Sequence, residues 1–127
     1  MARKLSEGGK PLDWVGSSNK DFLEFPEPVK DEMGNALGLA QFGGKHPSAK
    51  PWKGPRSWVF ELVEDHDGNT YRAVYMVRFK EVIYVLHAFQ KKSPKEIKTA
   101  PLDIEMVERR LKAAQKNYEV RHGKARR

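Results

Sequence analysis

A chain of 127 residues has room for one domain with a modest core. It contains no cysteine, which excludes disulfides and thiolate metal sites, and no window nears the ~20 apolar residues of a membrane-spanning helix. Lysine and arginine outnumber aspartate and glutamate by 24 to 17, a net charge of +7, and that surplus suits a polyanionic partner such as nucleic acid.

Residues 1–10 read as a flexible basic arm, 11–118 as a single domain and 119–127 as a basic tail. The opening MARKLSEGGK has charge but no apolar run, so it does not read as a signal peptide, and the expected location is the cytoplasm. Leu12, Trp14 and Val15 suggest a short strand closed by Gly16-Ser17-Ser18. Ser18 with Asp21 three residues on is a helix start, and the helix through Phe22, Leu23 and Phe25 must stop before Pro26. A second helix begins at Pro28; Val29, Met33, Ala36, Leu37 and Ala40 form its apolar face, and Gly43-Gly44 ends it. The stretch from Lys45 to Arg56, with Lys50 and Lys53 between them and no acid, reads as a basic loop.

From Ser57 the period becomes two. SWVFELVE, TYRAVYMVRF and VIYVLHAF read as three strands. Asp67-Gly68 is a hairpin turn that sets Leu62 opposite Ala73, Phe60 opposite Tyr75 and Trp58 opposite Val77. A loop centred on Lys80-Glu81 sets Ala73 opposite Ala88, Tyr75 opposite Leu86 and Val77 opposite Tyr84. One face then collects Trp58, Phe60, Leu62, Ala73, Tyr75, Val77, Tyr84, Leu86 and Ala88 for the helices to cover. The other is expected to stay open and to bring Glu61, Arg72 and His87 together near Val74, with Arg78 and Phe89 on the same side. A basic segment follows, with Lys91, Lys92, Lys95 and Lys98 against Glu96. After Pro101, Ile104, Val107, Leu111, Ala114 and Tyr118 recur at helical spacing. The histidines at 46, 66, 87 and 122 have no ligand spacing, so no metal site is expected, and the three tryptophans read as core.

This order of elements, with the stretches ALGLAQFGG, KPWKG, VFEL, YRAVYMV, YVLHAFQKKSPK and ERRLKAA, resembles the RelE/ParE toxin superfamily in its phage-derived, HigB-like branch. The resemblance covers roughly residues 11–116. It implies an α+β fold, RelE-like, in which a small, mainly antiparallel sheet carries two N-terminal helices on one face, with a C-terminal helix completing it. It also implies the toxin of a type II toxin–antitoxin system: an mRNA interferase without cofactor, acting on message in the ribosome and silenced by a helix-turn-helix antitoxin. By position the family's arginine matches Arg72, its basic pair Lys91 and Lys92, and its earlier basic loop Lys50 and Lys53, while His87 stands in the HAF block. The tyrosine that some relatives carry near the C-terminus has no counterpart, since Tyr118 sits at core spacing, and the general base is left open.

Metal-free RNA cleavage needs a proton taken from the 2′-hydroxyl, one given to the leaving 5′-oxygen, and charge neutralised on the phosphorane. Arg72 suits the last task because its planar fork can grip two phosphate oxygens; its structural alternative is an ion pair with Glu61, which could also orient it. His87 could carry protons or simply fill the sheet beside Val74. Lys91 and Lys92 are placed for phosphate contact or proton transfer, and Lys50, Lys53, Arg78 and Lys95 for RNA binding. The rival function is that of ParE-type relatives, which poison DNA gyrase by binding it.

Overall fold

Asp67 and Gly68 both adopt positive φ, 51° and 80°, the conformation that a two-residue hairpin turn demands. They join strands that we number β3 (Val59–His66) and β4 (Asn69–Met76). Phe60 faces Tyr75 and Leu62 faces Ala73, the register expected from that turn. The computed structural model describes residues 9–52, 56–91 and 100–123. Within them β1 is Leu12–Trp14, α1 Ser18–Leu23, α2 Glu27–Gln41, β2 Ala49–Pro51, β5 Ile83–Lys91 and α3 Pro101–His122.

The described strands form a five-stranded sheet in the order β1-β5-β4-β3-β2, antiparallel except where β1 runs parallel to β5. Strand β2 is a correction: part of the stretch read as a basic loop pairs along β3, with Lys50 opposite Glu61.

A second correction lies between β4 and β5. Ala73 meets Ala88 as expected, but the register then slips between Val74 and Tyr75. Tyr75 pairs with Val85 rather than Leu86, and Tyr84 pairs with Met76 rather than Val77. The irregularity places one extra residue, Leu86, on β5 and turns it to the same side as His87. Ile83 and Val85 therefore join the core under α1 and α2, while Tyr84 and Leu86 join the core under α3. VIYVLHAF betrays no such slip because it is apolar at nearly every position, and alternation carries register only where one face is polar. Trp58 also changes sides: it precedes β3 and packs with the α3 core, not beside Phe60.

Both faces of the sheet are covered. Phe22, Phe25, Val29, Met33, Ala36, Leu37 and Ala40 of α1, α2 and their junction bury one face with Leu62, Ala73, Tyr75 and Val85. Val107, Leu111, Ala114 and Tyr118 of α3 lie over Val59, Val74, Met76, Tyr84 and Leu86 on the other. The face expected to be open is thus roofed by α3 for much of its length, because that helix has an apolar stripe and nowhere else to bury it. Helix α3 also runs past the expected domain end at residue 118 to His122, and Arg121 donates to Asp13 at 2.6 Å. At the other end Lys10 is tied down by backbone and side-chain bonds with Gln41. No described helix is long and apolar enough to cross a membrane.

Candidate RNA-binding site on the sheet

Residues directly opposite one another in a sheet share a face, so the pairing places the candidate side chains in rows. Lys50, Glu61, Val74 and His87 form one row across β2, β3, β4 and β5. Arg72 and Phe89 form the next, and Thr70 and Lys91 the one beyond. The sheet therefore gathers Lys50, Glu61, Arg72, His87, Phe89 and Lys91 on the side that α3 begins to cover.

Arg72 Nη1 donates to Glu61 Oε1 at 2.8 Å, and the two side chains are only 15% and 13% exposed. The expected pairing is there. It uses one of five guanidinium donors, and Arg72 Nε is buried with no partner among the described residues. Lys91 is buried and Lys50 exposed at the sheet edge.

His87 is buried and stacked on Phe89, with ring centroids 4.6 Å apart. Its Nε2 lies 2.8 Å from Asp103 Oδ1, and its Nδ1 lies 3.5 Å from Arg110 Nη1, both groups of α3. Burial pulls its pKa below the ordinary histidine value, Asp103 pulls the other way, and the Arg110 charge adds to the lowering. Its surroundings thus favour a neutral imidazole with both nitrogens engaged.

Arg78 does not join this group. It follows β4 at the opposite end from Arg72, about 20 Å away at strand rise, and lies over the Trp58 ring at 4.9 Å. The expectation that it shares the cluster is corrected: six positions along a strand keep a face but not a place. Lys53, Lys92 and Lys95 lie outside the described residues. Tyr118 is at the far end as well, stacked on Phe79 at 3.8 Å and donating to Glu81 at 2.6 Å. That bond pushes the Tyr118 phenol up and holds the Glu81 carboxyl below its usual range. Among the described residues no group of three or more His, Asp or Glu side chains is arranged to hold a metal ion.

Asp103 and Arg110 went unnoticed in the sequence, although they carried a signal. They are seven positions apart, two helical turns, and flank Val107 on the stripe that packs on the sheet.

The chain belongs to the family described as Phage derived protein Gp49-like (DUF891), a RelE/HigB-type toxin family, which matches residues 20–112. Membership makes it a RelE-like toxin of a toxin–antitoxin system. Among solved structures it is similar to a chain in the crystal structure of the toxin-antitoxin complex RelBE2 from Mycobacterium tuberculosis. The identity is 14% and the TM-score 0.41, over 71% of this chain and 100% of that one. No curated protein matches it.

Proposed function

We propose that the protein is an mRNA interferase, an endoribonuclease that cuts message held on the ribosome without a metal, and that a cognate helix-turn-helix antitoxin silences it. The observation that carries this reading is Arg72: held by Glu61 through one donor, mostly buried, with Nε unpaired among the described residues, on a face shared with Lys50 and Lys91. In the proposed reaction the 2′-oxygen attacks phosphorus as its proton leaves, the bond to the 5′-oxygen breaks, and that oxygen takes up a proton. The products are a 2′,3′-cyclic phosphate and a 5′-hydroxyl. Arg72 faces the phosphorane oxygens, where a fixed fork is worth most because it needs no reorganisation. Lys91 and Lys92 are the proposed proton-transfer groups, Lys50, Lys53 and Lys95 hold the RNA backbone, and Glu61 orients Arg72. His87, with both nitrogens engaged, is left out of proton transfer.

The test is a cell-free translation reaction with the purified protein, with RNA ends mapped by primer extension, beside a gyrase supercoiling assay. Message should be cut and supercoiling unaffected. Intact message with blocked supercoiling overturns the ribonuclease in favour of gyrase poisoning. The product of the neighbouring reading frame should co-purify, restore growth and raise the melting temperature. A partner at 100 times its Kd that binds only the folded state adds about 2.7 kcal/mol.

A further inference from the structure

Helix α3 sends Arg110 across to three groups on other elements. Its Nη1 donates to the Leu86 carbonyl at 3.1 Å, its Nη2 to Ser17 Oγ at 3.0 Å, and Nη1 also lies 3.5 Å from His87 Nδ1. Ser17 in turn donates to Asp21 at 2.8 Å. One guanidinium thus joins α3, the start of α1 and the slip in β5. The slip matters, because it turns Leu86 and His87 together toward α3.

The loop opposite leaves room for this group. Gly16 has φ +58°, and a Cβ there would stand 2.8 Å from Arg110 Nε and 2.9 Å from Cζ. Any other residue at position 16 would be strained in its backbone and would push the guanidinium aside.

The chemistry of the two neighbours dictates the state of the ring. A guanidinium has donors and no acceptor, so His87 Nδ1 must present its lone pair to Arg110. A carboxylate has acceptors only, so Nε2 must carry the proton and donate to Asp103. The charged groups facing the ring are Asp103 and Arg110 from α3 and Asp21 from α1.

We propose that Arg110 and Asp103 are positioning residues: they grip both nitrogens of His87, fix it as the neutral imidazole protonated on Nε2, and so hold the His87–Phe89 stack beside Arg72. Phe89 lies directly opposite Arg72 in the sheet, so the stack is a wall of the site. That this wall serves RNA cleavage rests on the function proposed above, whereas the state of the imidazole does not.

Imidazole nitrogen NMR on the full-length protein at neutral pH reads that state directly. The wild type should show the Nε2–H pattern for His87. Arg110→Gln should release Nδ1, giving a mixture of neutral tautomers or a raised protonation midpoint. Gly16→Ala should produce the same change from another element, and it serves as the test if Arg110→Gln does not fold. A doubly protonated or Nδ1–H ring in the wild type overturns the proposal, as does a His87 signature unchanged in both variants. In single-turnover cleavage, His87→Gln should slow the reaction yet keep the shape of its pH profile. Loss of one limb of that profile would make His87 a proton carrier and defeat the proposal. Because the NMR measurement does not need RNA to be cut, a wild type that cleaves nothing counts against the ribonuclease reading alone.

Discussion

Glu61 lies so close to Arg72, and so far from water, that the arginine cannot be removed without consequence for its partner. Arg72→Ala leaves a mostly buried carboxylate without this partner, which costs about 1–3 kcal/mol, and it also removes the proposed grip on the phosphorane. The two effects separate in a second variant. Arg72→Ala should cut RNA ~10²–10³-fold more slowly and melt earlier than wild type. Adding Glu61→Gln should restore most of the melting temperature and none of the activity. A double variant that cuts normally would remove Arg72 from the chemistry. His87 supplies a second measurement at this scale. Its folded-state pKa is held below the ordinary value, chiefly by burial, so the unfolded chain binds the proton more readily. Stability from this group is intact above about pH 6.5 and is lost as pH falls below that value toward the folded-state pKa. Melting curves should show that loss, and His87→Gln should flatten it; identical slopes would mean the ring is not buried in solution.

At the level of elements, α3 roofs much of the second face of the sheet, and its apolar stripe should carry much of the stability. Leu111 is 2% exposed in the core with Val74, Tyr84 and Leu86. Leu111→Ala should cost about 2–5 kcal/mol in chemical denaturation, and a loss below 1 kcal/mol would show that the helix is only loosely docked. How far the elements were legible depended on the signal available. The Asp67-Gly68 turn fixes its own register through chemistry that only such residues satisfy, so the pairing of β3 with β4 could be read in full. Helix α2 and the apolar face of α3 followed from period alone. The slip in β5 was invisible because neighbours on both sides are apolar, and β2 was hidden because a three-residue edge strand ending in proline has no pattern to show. The roofing of the second face is a matter of tertiary packing, and it decides the site: it converts His87 from an exposed candidate acid or base into a buried, doubly bonded ring. Arg72 with Glu61 could be foreseen because both lie within the well-determined hairpin.

For the whole molecule, a net charge of +7 and a sheet face bearing Lys50, Arg72 and Lys91 predict RNA binding that weakens steeply with salt. Each phosphate contacted on a single strand contributes ~0.7 to the logarithmic slope. Lys50 is the cleanest probe, since it is exposed at the edge and its replacement disturbs no core. Lys50→Ala should reduce the slope by about 0.7, measured by fluorescence anisotropy across a salt series. An unchanged slope would place the RNA elsewhere.

Among the described residues the outermost strands, β1 and β2, have three residues each, and β2 ends in a proline that has no amide hydrogen to offer. Open sheet edges are where polypeptides zip onto one another, and the shorter and more interrupted the edge, the poorer the template. A protein built this way resists stacking into ribbons with its own copies even when crowded. It also discourages any inhibitor that would lay an extended segment along the sheet. Recognition is left to side chains on the helices and on the part of the second face that α3 does not roof, so one amino-acid change can redirect binding while the backbone framework stays as it is.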